Sequence, residues 1–250
     1  MVQPGSEIGK FTAIVKNIER LNDETVRVRL DCPDVGRYYA GQYLSLHVDH
    51  DQFGYYSLGS APGIDQELHV HVRRNPNGNV SRWIHEKLEI GAAIKITPPQ
   101  GSCFYYPAEL DRPLLMIGTG SGLAPLYGMI RTALVSGHRG PIHLYHGARR
   151  HCELYLSEQL RSLARLYRNF SYFPCVSRED ARHGFHAGRA LDNALREAPV
   201  SEHWGVYLSG NRQMVADARA GFVQRGVPNE AIWSDCFPSN AIPMPLTATV

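Results

Sequence analysis

Between Pro113 and Pro125 the chain runs Leu-Leu-Met-Ile-Gly-Thr-Gly-Ser-Gly-Leu-Ala, an apolar stretch that opens into glycines at 118, 120 and 122 and then into a helix-compatible segment. Residues of this kind suit anion binding. Glycine lets the backbone approach a phosphate without side-chain obstruction, and a helix that follows aims unpaired N–H groups and a positive dipole end at it. Pro125 is tolerated in a first helical turn, where its missing N–H is no loss. A dinucleotide is the natural guest, although the spacing is not the strict G-x-G-x-x-G fingerprint and no acid stands at the usual distance to hold a ribose. A tight strand-to-helix turn without ligand remains the alternative for this loop taken alone. A second such cradle is Gly78-Asn79-Val80-Ser81, where a capping Asn79 and a serine hydroxyl would sit at a helix start. Simple helix capping explains the same residues.

Other chemistry is weaker. The 12 histidines are unpatterned, and the five cysteines, Cys32, Cys103, Cys152, Cys175 and Cys236, include no C-x-x-C pair, so no metal site is expected and free thiols are the default. His69 and His71 fall on one strand face and His143 and His146 at a strand end, with no third ligand in the pattern. The C-x₄-C-x₂-C spacing of a plant-type iron–sulfur module is missing. A net charge of +2 without a Lys/Arg block argues against nucleic-acid binding, and no apolar run is long enough to span a bilayer. The start of the chain lacks the apolar core of a signal peptide, and a cytoplasmic protein is expected. At 250 residues and 43% hydrophobic content, the chain suits one large domain or two small ones.

The elements that must position these residues change rhythm midway. Up to about Tyr106 the pattern predicts strands at Phe11–Arg20, Thr25–Asp31, Gln42–Val48, Tyr55–Ser60, Glu67–Arg74, Ala92–Thr97 and Ser102–Tyr105. Val26, Val28 and Leu30 alternate with Arg27 and Arg29, so one face is buried. One helix interrupts them, with Val80, Trp83, Ile84 and Leu88 at helical spacing to close a barrel end. From Pro113 strands and helices alternate: Leu114–Ile117, Leu123–Val135, Ile142–His146, Glu153–Leu166, Phe170–Val176, Arg189–Arg196, Gly205–Leu208, Gln213–Gln224 and Ile232–Ser234. That order predicts a parallel sheet covered on both faces. The segment 107–113, with a proline at each end, is the expected linker between domains at 1–107 and 113–250.

Taken together in this order, the motifs resemble those of the ferredoxin–NADP(+) reductase superfamily of flavoproteins, from about Lys10 to Phe237. Tyr56-Ser57-Leu58 resembles its R-x-Y-S-L flavin strand, preceded by Ala40-Gly41-Gln42-Tyr43 for A-G-Q-[FY]. Gly78-Asn79-Val80-Ser81 resembles G-x-x-S, Pro98–Phe104 resembles G-P-x-G-x-F, and Gly118–Pro125 resembles the G-T-G-x-x-P nicotinamide loop. Tyr207–Val215 resembles Y-L-C-G-x-x-x-M-V, with Ser209 in the place of cysteine.

The resemblance implies a β + α/β fold, a six-stranded antiparallel β-barrel that binds flavin followed by a Rossmann-like parallel domain that binds NAD(P). It implies that Tyr56 covers the isoalloxazine and that the Ser57 hydroxyl reaches N5, with Leu58, His71 and Val72 beside the flavin and Gly78, Asn79, Val80 and Ser81 at its pyrophosphate. Gly118, Thr119, Gly120, Gly122, Pro125, Gly210 and Met214 would hold the pyridine nucleotide, and Ser57 and Ser209 would flank hydride transfer. The family's flavin-phosphate arginine is replaced by Gly54; losing such a charge-assisted contact costs about 1.5–3 kcal/mol unless Arg73, Arg74 or Arg82 substitutes.

Arg149, Arg178 and Arg189, with Ser177, converge where an adenosine would lie. Guanidinium forks suit a 2′-phosphate, which favours NADPH over NADH. The expected activity is hydride transfer from NAD(P)H to FAD, with FMN as an alternative, and onward electron transfer to a ferredoxin, flavodoxin or oxygenase component. A flavin reductase using exchangeable flavin and a non-catalytic binding subunit stay open. The acceptor, the oligomeric state and any separate iron–sulfur component are not legible in the residues.

Overall fold

The computed structural model describes residues 9–49, 51–180 and 182–237; the outer ends of the two expected domains, 1–8 and 238–250, lie outside the described residues. Six strands, β1 (Phe11–Arg20), β2 (Thr25–Asp31), β3 (Tyr43–His47), β4 (Phe53–Ser57), β5 (Leu68–Arg73) and β6 (Ala93–Ile96), form an antiparallel sheet in the order β4-β3-β6-β1-β2-β5. Its two edges meet where Leu58 bridges Val70 and the Gly59 N–H donates to the His69 carbonyl at 2.8 Å, so the sheet closes on itself. Alternation fixes the register: Val15, Val28, Leu30, Leu44, Leu46 and Ile96 are fully buried inside the barrel. Helix α1 (Asn79–Lys87) closes one end by packing Val80 and Ile84 onto the same core, with Leu88 just past its last turn.

Two expectations about this half need correction. Ser102–Tyr105 is not a strand; its backbone and that of the preceding turn pair at isolated points, Gln100 with Tyr43 and the Tyr105 N–H with the Ala40 carbonyl at 3.0 Å. Pro98 and Pro99 cannot donate to a ladder, and Gly101 turns the chain at φ +101°. Asn79 is not the helix cap. Gly78 is the N-cap residue and Asn79 the first helical residue, its side chain accepting a hydrogen bond from Arg82 at 3.2 Å.

The second half is β7 (Leu114–Thr119), α2 (Leu123–Val135), β8 (Ile142–Ala148), α3 (Ser157–Leu166), β9 (Phe170–Val176), β10 (His186–Ala187), α4 (Ala190–Glu197), β11 (Gly205–Asn211), α5 (Arg212–Gln224) and β12 (Ile232–Phe237). The strands are parallel, in the order β10-β9-β8-β7-β11-β12. Residues of α2 and α3 pack against one face of the sheet and residues of α4 and α5 against the other, which explains why β7 is buried through Gly118. The helix predicted from Glu153 begins at Ser157, because a 3₁₀ turn at His151–Glu153 and Leu156 in the left-handed region (φ 58°) intervene. The short β10 has too little apolar pattern to be foreseen.

Helix α2 also packs against the barrel. A Cβ on Gly128 would sit 2.8 Å from the Ser60 carbonyl oxygen, so only glycine allows the helix this close to the loop after β4. One turn on, the Arg131 guanidinium donates to both carboxylate oxygens of Asp65, at 2.6 and 2.9 Å. Burial works to raise the Asp65 pKa, but the Arg131 hydrogen bonds and charge and the Ala61 N–H outweigh it and hold the carboxyl below its ordinary value. At the opposite side, the Asn22 amide donates to the Glu153 carbonyl at 3.1 Å, fastening the β1–β2 turn to the second half.

Candidate functional site

Strand order reverses at β7, whose neighbours β8 and β11 lead away in opposite directions, so a crevice opens at the carboxyl ends of these strands. A cavity of 710 Å³ fills it. Thr119, Gly120 and Ser121 line its floor, Gly210 and Met214 one side, and Arg149, Ser177, Arg178 and Arg189 the far end. Gly118, Gly122 and Pro125 do not line it. They make the approach possible instead: a Cβ on Gly122 would lie 2.6 Å from the Ser209 carbonyl carbon and 3.0 Å from the Gly210 nitrogen, and one on Gly118 would meet Leu126. Gly120 has φ +57°, in the region that favours glycine. Asn211 caps α5 by accepting from the Met214 N–H at 2.9 Å, which sets the side chain of Met214 against Gly210.

The arginines are held in different ways. The Arg178 N–H donates to the Arg149 carbonyl at 2.9 Å and the Ser177 N–H to the Ala148 carbonyl at 3.1 Å, which joins the loops after β8 and β9. Arg189 pairs with Asp192 at 3.0 Å. Of the acids on the same wall, Glu153 accepts from Arg150 at 3.1 Å and Asp217 accepts from Gln213 at 2.8 Å.

A second cavity, of 980 Å³, lies on the barrel side. Gly54, Tyr56 and Ser57 of β4, His71 of β5, and Gly78, Asn79, Val80 and Ser81 at the start of α1 line it. Ser81 is committed locally: its Oγ accepts from the Asn75 N–H at 3.1 Å and donates to the Gly78 carbonyl at 3.1 Å, which shapes the turn into the helix. Leu58 and Val72, expected to touch a cofactor, are fully buried in the barrel core and line neither cavity. Their place in the alternating strand pattern sends those side chains inward. Of the three cations named as substitutes for the missing arginine, Arg73 and Arg74 line this cavity and Arg82 lines neither. Gly54 has no spare room beside it, since a Cβ there would come within 2.9 Å of the Tyr56 hydroxyl, whose ring leans back along the strand.

The two cavities share Glu24, Arg73 and Ser121 on their walls and so meet. On the wall of the second cavity, the Ser57 hydroxyl donates to the Asp235 carboxylate on β12. Burial raises the Asp235 pKa, and the Ser57 hydrogen bond offsets part of that rise. Asp235 is directly opposite Ser209 in the β11–β12 register. Ser209 itself is wholly buried, lines neither cavity, and its Oγ has no hydrogen-bond partner among the described residues. A polar atom left bare at such a position is costly and marks a place where packing alone did not choose the residue.

A further link crosses the junction. Tyr155 donates to the Gly120 carbonyl at 3.3 Å and meets His71 Nδ1 at 3.4 Å, tying β5 to the glycine loop. Burial pushes the His71 pKa down to about 3, so the ring is neutral at physiological pH, and burial also raises the Tyr155 hydroxyl. Sequence reasoning missed Asp235, Tyr155 and Glu24. Asp235 left one signal, a lone acid inside the apolar run Ile232–Phe237; nothing in the local sequence of Tyr155 or Glu24 points to the crevice.

Known proteins match this arrangement along the chain. Residues 12–105 match the family model described as oxidoreductase FAD-binding domain, and residues 116–220 that of oxidoreductase NAD-binding domain. The ferredoxin–NAD(P)(+) reductase component of naphthalene 1,2-dioxygenase/salicylate 5-hydroxylase systems from Ralstonia sp is 30% identical over 223 residues, 89% of this chain and 67% of that protein. The corresponding component of the naphthalene 1,2-dioxygenase system from Pseudomonas putida is 32% identical over 212 residues, 85% of this chain and 63% of its own length. The chain therefore spans about two thirds of the length of these relatives. A solved cytochrome P450 reductase from Amycolatopsis superposes with a TM-score of 0.85 at 30% identity, over 92% of this chain and 70% of that one. A barrel matched to FAD binding, a parallel half matched to NAD binding, and relatives similar across both place the chain in the ferredoxin–NAD(P)(+) reductase superfamily of FAD-dependent oxidoreductases.

Proposed function

We propose that the chain takes hydride from NADPH onto FAD and passes the electrons to a separate ferredoxin or oxygenase component. The observation that carries this reading is the meeting of the two cavities at Glu24, Arg73 and Ser121, with Ser57 on the wall of the barrel-side one. FAD fits the barrel-side cavity: the start of α1 offers N–H groups to a phosphate, Tyr56 offers a ring face, and Ser57 offers a hydroxyl. The bound flavin supplies conversion of a two-electron donor into one-electron steps.

The residues of the chain position and hold protons. Thr119, Gly120 and Ser121 receive the pyridine nucleotide's phosphates, and Gly210 and Met214 bound the space for the nicotinamide ring. Ser57 holds its hydroxyl proton toward Asp235, whose carboxyl burial keeps above its ordinary pKa. Ser209 shapes the floor through its backbone rather than through a contact of its hydroxyl with the cavity. Arg149, Arg178 and Arg189 favour NADPH, because a doubly charged 2′-phosphate suits several guanidinium groups. The division between two binding domains falls in the 107–113 segment. The relatives' printed roles in oxygenase systems support a ferredoxin or oxygenase acceptor.

A second reading makes flavin a diffusing substrate, and one observation favours it: Gly54 stands where a phosphate-binding arginine is expected, and Tyr56 fills the space beside it. Anaerobic titration of FAD-loaded protein with NADPH and then NADH tests the first reading, bleaching of the flavin band at lower NADPH concentration being the expected result. An Arg178→Ala variant should lose the preference between the two nucleotides. Equal response of the native protein to both would overturn the NADPH assignment. Flavin-free protein showing saturation with added free flavin would favour the second reading over the first.

A further inference from the structure

Among the described residues Arg73 is the one cation on the walls of both cavities, and its partner is unusual for a phosphate site. Its Nε and Nη2 both donate to a single oxygen of Glu24, at 2.9 and 2.5 Å, while Nη1 lies 3.3 Å from where a Cβ on Gly120 would sit. The guanidinium thus reaches over the glycine loop with one amine while a carboxylate occupies the other two nitrogens. Glu24 also lines both cavities, so a negative charge stands at a place where an anionic dinucleotide must settle. Both side chains are about two-fifths exposed, and an ion pair of that exposure is weak enough to exchange.

The backbone of Glu24 is fixed independently of its carboxylate. Glu24 begins the return from the β1–β2 turn, its N–H donates to Asn22 Oδ1 at 3.0 Å, and the Asn22 amide is fastened to Glu153 across the crevice. The Arg74 N–H donates to the Glu24 carbonyl at 2.7 Å, so the turn and the end of β5 stay together whichever partner Arg73 takes.

We propose that Glu24 is a resting counter-ion for Arg73 that a pyrophosphate oxygen of an incoming dinucleotide displaces, so that Glu24 limits affinity while Arg73 supplies it. No bond is made or broken in this step; one acceptor of the guanidinium fork is replaced by another, and the Glu24 carboxylate turns to water. The proposal rests on the reading of the two cavities as FAD and pyridine-nucleotide sites. Which dinucleotide makes the exchange is decided by two titrations, FAD onto flavin-free protein and NADP⁺ onto FAD-loaded protein.

The test is calorimetry of both titrations for native protein, Glu24→Gln, Arg73→Gln, Arg73→Lys and the Glu24→Gln/Arg73→Gln double variant, with thermal unfolding of each. For at least one dinucleotide, Glu24→Gln should bind about threefold more tightly and Arg73→Gln about tenfold or more weakly. Arg73→Lys should recover part of that loss, because charge persists without the fork. The gain from Glu24→Gln should disappear when Arg73 is already absent. Weakening by both single variants in step with lower unfolding temperatures would mean the pair is a structural strut, and the proposal would fall. Unchanged affinity in both titrations would overturn it equally. Native protein that takes up neither FAD nor NADP⁺ would instead sink the functional reading, and this proposal with it.

Discussion

Gly54→Arg restores the cation that the family pattern leads one to expect, and the structure allows its effect to be worked out. The gain is a charge-assisted contact with a flavin phosphate, worth about 1.5–3 kcal/mol. The cost comes from Tyr56. A Cβ at position 54 would lie 2.9, 3.0 and 3.2 Å from Tyr56 Oη, Cε2 and Cζ, all at the far end of one side chain. The ring must swing away, at about 0.5–1.5 kcal/mol for a strained χ angle. Backbone register is not threatened, because residue 54 pairs with Leu46 on an edge strand and keeps its ladder. The net is about 0–2.5 kcal/mol in favour of binding, or up to roughly seventyfold in Kd. Gly54→Ala serves as the control, since it displaces Tyr56 and offers no charge; it should bind flavin no more tightly than the native protein. Quenching of FAD fluorescence on titration into flavin-free protein measures both. If the arginine and alanine variants bind alike, the phosphate does not lie near residue 54 and the orientation of flavin assumed here is wrong.

Two further perturbations probe the framework. Gly122→Ala puts a methyl group against the Ser209 backbone, which cannot move aside as a side chain could, so about 1–3 kcal/mol of stability should be lost. Calorimetry should record a fall of several degrees, and Ser121→Ala, which meets no such wall, should not reproduce it. Asp235→Asn removes a buried carboxyl whose folded pKa lies above its unfolded value. Native stability associated with that group is intact below the ordinary carboxylate range and declines as pH rises through the raised folded value. The variant should therefore match native protein near pH 3 and exceed it at neutral pH; thermal unfolding across that range that ran parallel for the two proteins would contradict the burial argument.

Strand ends show where local pattern stops being informative. In the parallel half, the apolar rhythm breaks at Ile117, His146, Leu208 and Ser234, yet the strands continue to Thr119, Ala148, Asn211 and Phe237. A polar residue or glycine at the end of a strand stays in the ladder when its neighbours satisfy its backbone, as Ser209 does between Gly118 and Asp235. Of these added residues, Thr119, Gly147, Ala148, Gly210 and Asn211 border the crevice. By contrast β1 and β2 end where alternation and the turn at Asn22 and Asp23 predict, because a hairpin sets its own limits.

The residues alone determined the change from two-residue to helical periodicity, the glycine loop, the Tyr-Ser strand and the arginine-rich loops, since each is written in adjacent or regularly spaced side chains. Only the folded chain decided that Ser57 meets Asp235, 178 positions away, that Tyr155 joins His71 to Gly120, and that Glu24 shares Arg73 with two cavities. Those pairings arise from barrel closure and the docking of α2 on Gly59 and Ser60, long-range packing that leaves no periodic mark in the segments it brings together.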